Sequence, residues 1–365
     1  MAEVGRPDVQ RLEDKLYMED VDRVAALPLD WSALDGHTVA ITGATGMIGT
    51  FLVDVLMRRV DIDVVALGRS EDKARTRLPY FESPHFSFER YDVNDPDAMP
   101  QVQADVVFHL ASNTHPRAYA TDPIGTITSN VQGLRNLLEW IFPEGVSGGG
   151  SKEESTARKL VFASSNEIYG ENRGDVDLFT EDYCGYIDCC TLRAGYPEAK
   201  RLGEALCQAY IAQRGAAVYI PRVTRTYGPT MLMSDTKAIS QFVKKGLAGE
   251  DVVLKSEGTQ LYSYQYVADT VAGLLYVLLA GEPGRAYNIA DPASDITLRD
   301  LAAAIADAAG TQVVFELPDA VERAGYSTAT KALLDGSRLR ALGWQPAYGI
   351  REGMARTLRI LADIA

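Results

Sequence analysis

The chain is poor in the residues that build metal sites and disulfide frameworks. It has four cysteines and four histidines in 365 residues. Cys184, Cys189, Cys190 and Cys207 form no C-x-x-C pair, and no histidine stands close enough to them to complete a zinc pattern. A structural zinc module and a disulfide scaffold are therefore excluded, and the expectation is a protein without metal in a reducing, cytoplasmic compartment. Basic charge is also short. Lys and Arg total 36 against 50 Asp and Glu, a formal net charge of −14 with no basic patch, which argues against nucleic acid as a partner. No apolar run reaches the roughly 18 residues of a membrane span. The polar, acidic start from Met1 to Asp20 does not read as a secretory signal. No repeat is visible along the chain.

What is present is the balance of a soluble globular chain, 46% hydrophobic and 24% charged, long enough for one large α/β domain or two smaller ones. Residues 1–35 read as a helical extension: Val9 to Leu27 carries apolar residues at helical spacing (Leu12, Leu16, Val21, Val24) until Pro28 stops it. Strands and helices then alternate. Strands are predicted at Thr38–Thr42, Asp63–Leu67, Ala104–Leu110, Lys159–Ala163 and Ala217–Pro221, and helices at Met47–Arg59, Ile124–Phe142 and Tyr196–Arg214. This βαβ alternation predicts an α/β fold, a doubly wound parallel sheet of Rossmann type covered by helices on both faces. The stretch from Phe142 to Ser155, with Gly148-Gly149-Gly150 at its centre, reads as a flexible loop. Beyond residue 225 the elements become shorter and mixed, with helices at Ala238–Leu247, Val267–Leu279 and Leu298–Ala309 and strands at Val252–Leu254 and Val313–Phe315. The division expected is 36–225 for a dinucleotide-binding domain and 226–365 mainly for a smaller C-terminal α/β lobe, with interwoven boundaries.

The first predicted strand runs directly into Gly43-x-x-Gly46-x-x-Gly49 and then a helix. Glycine at these points permits a tight turn, close approach of backbone to a pyrophosphate, and close helix–strand packing. The helix N-terminus turns its positive end toward the phosphates. Thr45, Met47 and Ile48 fill the turn and the first helical residues, so the motif as a whole reads as an NAD(P) site. About twenty residues on, NAD-preferring sites carry an acid for the ribose 2′-hydroxyl. Gly68 occupies that place, and Arg69 and Ser70 suit a 2′-phosphate, which favours NADP over NAD. The alternative is that Glu71 or Asp72 stands in for the acid. Asp92, with Val93 beside it, follows the strand near Phe86–Tyr91 and suits either an adenine contact or a turn.

Tyr196 and Lys200 are four residues apart on one helix face, and Ser165 ends an apolar strand, where reacting groups of open α/β sheets gather. A nearby ammonium and a nicotinamide positive charge would lower the tyrosine pKa and make it a base at neutral pH.

Further motifs accompany these: His109-Leu110-Ala111-Ser112, Asn130, Tyr169-Gly170, Tyr227-Gly228-Pro229, Tyr266-Val267-Ala268-Asp269 and Tyr287-Asn288-Ile289-Ala290. With them the chain, over residues 36–360, resembles the extended short-chain dehydrogenase/reductase family in its nucleotide-sugar epimerase, dehydratase and decarboxylase branch. The spacing around Ala111-Ser112, Tyr119 and Gly195-Tyr196 is most similar to UDP-glucuronate decarboxylases. The resemblance implies a sugar or nucleotide-sugar enzyme that forms a transient 4-ketone and then eliminates, decarboxylates or epimerises at the neighbouring carbon. It implies that Tyr196 removes the 4-hydroxyl proton, that Ser165 holds the same oxygen, and that Lys200 binds the cofactor ribose and tunes the tyrosine. Leu110, Ala111, Ser112 and Asn130 would line the cofactor, and Ser112 and Tyr119 would face substrate. The C-terminal lobe would bind the sugar nucleotide.

Departures from the family pattern mark the substrate side. Ser165 is followed by Asn166-Glu167. Asn166 cannot donate a proton as an acid, so the usual 4,6-dehydratase step lacks its acid. Glu167 is a candidate base or positioning group, against the alternative of a salt-bridged surface acid. Arg225 stands where the family has asparagine and Tyr262 where it has arginine, both at the diphosphate. Either Arg225 supplies the charge Tyr262 lacks, or the substrate is a monophosphate, nucleoside or other polyol derivative. The resemblance also implies a homodimer through the 124–142 and 196–214 helices, with Leu134, Leu137, Leu138, Ile141, Leu206, Tyr210 and Ile211 supplying two apolar faces. Two other readings stand beside this one: a net NADPH-dependent keto-sugar reductase, and a non-catalytic dinucleotide-binding sensor.

Overall fold

The computed structural model describes residues 8–95, 97–112, 114, 119, 121–145, 158–316 and 330–364. The predicted Gly148 loop lies outside the described residues. Seven strands make one row: β1 (His37–Thr42), β2 (Ile62–Gly68), β3 (Phe86–Arg90), β4 (Val106–His109), β5 (Lys159–Phe162), β6 (Ala217–Val223) and β7 (Ala286–Ile289). Their order is β7-β6-β5-β4-β1-β2-β3, every neighbour parallel, and the two-residue strand Ser164–Ser165 lies on β6. This is the Rossmann-type sheet expected from the alternation. It is covered on both faces, which is why its strands read as continuous apolar runs. Val39, Ile41 and Phe108 enter one core with Phe51 and Leu52, while Ala40, Val107 and Leu160 enter the other with Leu134, Leu137 and Cys207.

The register brings the functional loops together. Thr42 pairs with His109, and His109 with Phe162, so β1, β4 and β5 end level and their following loops emerge at one edge. The strand order reverses between β1 and β4, and a crevice at such a reversal is where open α/β sheets take ligands.

The chain beyond residue 225 contributes to more than one sheet. Leu261–Tyr266 pairs with Asp295–Thr297, Lys331–Ala332 and Arg225–Tyr227, and Val252–Leu254 pairs with Val313–Phe315. Yet β7 returns to the main sheet beside β6.

Two expectations are corrected. The helix predicted over Val9–Leu27 is broken: Asp8–Leu12 is a 3-10 turn, and a new helix, Lys15–Ala25, starts where the Asp14 side chain caps the Tyr17 N–H. Leu134, Leu137, Leu138, Ile141 and Tyr210 do not supply an outer face, because the protomer's own core takes them. The large apolar side chains left outward on those helices, Pro123–Ile141 and Gly195–Arg214, are Ile124, Ile127 and Leu202.

The N-terminal extension is pinned to both parts of the fold. Buried Arg11 places Nε 2.7 Å from Oδ2 of buried Asp54, on the helix that follows the glycine motif. Tyr17 and Tyr80 also donate to Asp54. Further along, Asp20 accepts from Tyr266 at 2.7 Å and pairs with Arg356 at 3.0 Å, and Arg23 pairs with Asp269 at 2.8 Å.

Candidate active site

The glycine motif shows which of its members the protein itself demands. Gly43 has φ 73°, and a Cβ there would lie 2.8 Å from the Ala111 nitrogen. At Gly49 a Cβ would lie 2.3 Å from the Gly43 carbonyl oxygen. Gly46 is different, since its Cβ would meet only that carbonyl, at 3.2 Å. The missing side chain at Gly46 thus leaves room on the outer side of the turn. Gly46 also begins the helix Met47–Leu56 without a side-chain cap, so the first-turn N–H groups face that room. Both features fit a pyrophosphate. Thr45, Met47 and Ile48 are half-buried around it. Thr230, from far along the chain, donates to the Met47 carbonyl at 2.8 Å.

At the end of β2, Arg69 and Ser70 are exposed. The Ser70 hydroxyl caps the helix Glu71–Arg77 by accepting from the Lys73 N–H at 3.2 Å. Burial and the charges of Arg77 and Arg69 lower the Lys73 pKa, which marks a concentration of positive charge here. Glu71 is engaged by Arg75 at 2.6 Å. Asp92 forms a turn, its Oδ1 accepting from the Asn94 N–H at 3.0 Å, and buried Val93 offers its carbonyl to Asn136 at 2.9 Å.

After β4 the loop is held tightly. The Thr42 hydroxyl lies 2.8 Å from His109 Nδ1, and burial, with Lys200 nearby, pushes the His109 pKa down to about 3, so the ring stays neutral. The Leu110 N–H donates to the Thr42 carbonyl at 3.2 Å, and the Ala111 N–H to the Thr42 hydroxyl at 3.3 Å. Ser112 donates to Asn130 at 2.9 Å, while buried Asn130 donates to the Thr126 carbonyl at 2.8 Å.

Ser165, Tyr196 and Lys200 are all buried and converge. The hydroxyls of Ser165 and Ser112 lie near the Tyr196 phenol and favour its ionised form. Ser165 also accepts from the Glu167 N–H at 3.2 Å, which starts the 3-10 turn Asn166–Tyr169. Tyr119 stacks on Tyr196 with ring centroids 5.1 Å apart. Lys200 donates to the Ala163 carbonyl at 2.8 Å, and burial lowers its pKa to about 8. The protein's own groups act on the Tyr196 pKa in opposite directions. Burial raises it, the Glu167 charge adds to this, and Ser165, Arg193 and Ser112 only partly offset them. Lys200 Nζ, bonded to the Ala163 carbonyl, lies 5.9 Å from the centre of the Tyr196 ring.

Glu167 is an ion-paired acid in the same pocket. Its partner Arg193 escaped the sequence reading, and it also lies 5.0 Å over the Tyr119 ring. Nothing local marks a pair 26 residues apart; only the fold brings it together. Asn166 is buried at the start of the turn. Arg225 and Tyr262 do meet: the guanidinium carbon sits 3.8 Å over the Tyr262 ring. Its buried Nη1 has no hydrogen-bond partner among the described residues. Arg225 follows β6 two residues beyond Val223, the pairing partner of Ser165. Among the described residues no group of three or more His, Cys, Asp or Glu is placed to hold a metal ion, and no helix is long and apolar enough to cross a membrane.

Comparison with known proteins supplies a family. The model of the NAD dependent epimerase/dehydratase family matches residues 39–290. UDP-glucuronic acid decarboxylase 6 of Arabidopsis thaliana is 30% identical over 317 residues, 87% of this chain and 86% of that protein. A solved epimerase of Methanothermobacter thermautotrophicus superposes with a TM-score of 0.76 at 21% identity, over 94% of this chain and 95% of its own. A dTDP-glucose 4,6-dehydratase double mutant from Streptomyces venezuelae, solved with NAD bound, gives a TM-score of 0.73 at 24% identity, over 88% and 96%.

Proposed function

The chain belongs to the NAD dependent epimerase/dehydratase family, and from that premise we propose that it oxidises a nucleotide sugar at C4 and then acts at the neighbouring carbon, with decarboxylation of a nucleotide uronate as the leading reaction. The placement of Ser165, Tyr196 and Lys200 in one buried site, with Lys200 held on Ala163 and Tyr119 stacked on Tyr196, carries this reading. A bound nicotinamide dinucleotide supplies the hydride acceptor and donor. Tyr196 takes the proton of the sugar 4-hydroxyl, and Ser165, which accepts from the Glu167 N–H, turns its own hydrogen from the phenol toward that oxygen. Lys200 would face the cofactor ribose. The glycine turn, Leu110, Ala111, Ser112 and Asn130 would line the cofactor, with Asp92 and Val93 toward its adenine end.

Oxidation at C4 turns a C5 carboxylate into a β-keto acid. Its C–C bond breaks with the electron pair spread onto the C4 oxygen held by Ser165 and Tyr196. Carbon dioxide leaves, and a proton from water, passed on by Glu167, returns to C5. Three features support an anionic sugar nucleotide: Arg193 in the pocket, the Arg225 guanidinium with an unpaired Nη1, and the 30% identical decarboxylase. In this reading Arg225 takes a substrate anion, Tyr262 orients its guanidinium, and Tyr119 and Asn166 shape the sugar pocket. Residues 36–225 carry the cofactor, and 226–365 supply most of the substrate lobe.

Mass spectrometry after incubation with UDP-glucuronate is the test. Loss of carbon dioxide with solvent deuterium at C5 is expected, and no turnover would remove the decarboxylase reading. The charge around Arg69, Lys73 and Arg77 favours NADP and with it one second reading, a net keto-sugar reductase. That enzyme would consume one NADPH per product, whereas the internal redox cycle consumes none.

A further inference from the structure

Tyr196, Lys200 and Glu204 stand at successive four-residue intervals on the helix Gly195–Arg214, so they share one face. Each grips the same short piece of chain. Tyr196 lies near the Ser165 hydroxyl, Lys200 Nζ donates to the Ala163 carbonyl at 2.8 Å, and Glu204 Oε1 accepts from the Ser164 hydroxyl at 2.5 Å. Three consecutive residues that leave β5 are thereby keyed to three turns of one helix. Glu204 is also anchored from behind. Arg222, on β6, donates Nε to Oε1 at 3.0 Å and Nη2 to Oε2 at 2.8 Å, with both side chains largely buried. Arg222 Nη1 donates to the Tyr169 hydroxyl at 2.8 Å and to the Glu181 carbonyl at 2.6 Å. Tyr169 in turn donates to Asn288 at 2.6 Å, on β7. The two ends of the 3-10 turn that carries Glu167 are thus tied to one carboxylate.

We propose that Glu204 is a positioning residue of the reacting centre, holding Ser164, and through it the Ser165 hydroxyl, against Tyr196 while its charge faces Lys200 on the same helix. The assignment rests on the reading of Ser165, Tyr196 and Lys200 given above. A merely structural acid could be replaced by any arrangement that fills the space. A positioning acid has two separable effects, because its hydrogen bond sets where Ser165 stands and its charge sets how firmly Lys200 keeps its proton. The charged and titratable groups that face Lys200 are Glu204 and Cys207 on its own helix, His109 on β4 and the Tyr196 ring one turn away. Glu204 is the one carboxylate among them, and its bidentate pair with Arg222 fixes where the carboxylate stands while opposing part of its field at Lys200.

The experiment separates the two effects. Selective 13Cε-lysine labelling, with Lys200 assigned by its loss in Lys200→Met, gives the Lys200 titration in the protein without any substrate. Glu204→Gln should move its midpoint down by about one pH unit, the size expected when an opposite charge beside an ionisable group is removed. Ser164→Ala keeps the Glu204–Arg222 pair and should leave the midpoint in place. In stopped-flow single turnover of the NAD-loaded enzyme with UDP-glucuronate, Ser164→Ala should slow cofactor reduction about tenfold or more with KM little changed, the pattern of a misplaced reacting group. A Glu204→Gln titration that superimposes on the wild type, or a Ser164→Ala enzyme with wild-type single-turnover rate, overturns the proposal. If the Glu204→Gln variant fails to fold, Glu204→Asp serves the same titration, with a midpoint held near the wild type expected and a midpoint lowered as far as charge removal predicts counting against it. A wild type that does not react with UDP-glucuronate counts against the proposed function alone, and the lysine titration then decides the role of Glu204.

Discussion

Arg193 and Glu167 form an ion pair inside the candidate site, with the arginine Nη2 2.7 Å from one carboxylate oxygen and 2.6 Å from the other. The pair neutralises the acid that lies beside Ser165 and places a guanidinium over Tyr119, which itself stacks on Tyr196. An anionic substrate offers Arg193 a second partner, and Glu167 would then be released toward the reacting carbon. Glu167→Gln should keep the first hydride transfer and stop the second step, so that reduced cofactor or a keto-sugar accumulates. Tyr196→Phe should instead block cofactor reduction, because the two residues act on different protons in consecutive steps. Single-turnover absorbance of reduced nicotinamide checks both. A Glu167→Gln enzyme with unchanged turnover would point to the reductase reading.

The glycine turn predicts two different failures. Gly49→Ala forces a Cβ to 2.3 Å from the Gly43 carbonyl and should lower stability by about 1–3 kcal/mol through overpacking. Gly46→Ala meets only that carbonyl, at 3.2 Å, and should cost less stability than Gly49→Ala. It should still weaken dinucleotide binding about tenfold or more by filling the room for pyrophosphate. Calorimetric melting and titration together read both effects. Equal loss of stability in the two variants would contradict the assignment.

Cofactor choice turns on the end of β2. Arg69→Ala should weaken NADP binding by roughly ten- to a hundredfold, the worth of about 1.5–3 kcal/mol for a charge-assisted contact, while NAD changes little. Fluorescence titration with each cofactor gives the comparison. NAD recovered from the purified protein, or equal losses for both, would reverse the preference for NADP.

The N-terminal extension should be a structural part of the fold rather than an appendage. Arg11→Met strands a buried Asp54 carboxylate and should cost about 3–5 kcal/mol in urea unfolding. Adding Asp54→Leu should recover part of that loss, since the unpaired charge is then gone. A single substitution costing under about 1 kcal/mol would show that the pair is solvated in solution.

Dimer formation is expected through the outward faces of the Pro123–Ile141 and Gly195–Arg214 helices. Ile124, Ile127 and Leu202 are 75%, 43% and 53% exposed there. Leu202→Glu should shift sedimentation from dimer to monomer at micromolar concentration. A wild type that sediments only as monomer would remove this claim.

The sheet and the motif that opens it were legible in the chain before any coordinates, for a physical reason. Strand, glycine turn and helix are contiguous in sequence, and period and turn chemistry are local properties. Gly43, Gly46 and Gly49, the Tyr196–Lys200 spacing and the alternation of β1 to β6 all fall in that class. Ala238–Leu247 and Leu298–Ala309 even match at both ends, since each carries its own amphipathic pattern. What depends on distant residues was decided only by the tertiary structure. The Asp14 cap that splits the first helix is local but competes with a good apolar period, and that competition is settled by what the helix packs against. The Arg193–Glu167 pair, the Arg225–Tyr262 stack and the Glu204–Arg222 anchor each join residues from separate elements. No periodicity encodes such a meeting. The direction of the Tyr196 pKa belongs with them, because burial is a property of the packed molecule, and no spacing of tyrosine and lysine along a helix contains it.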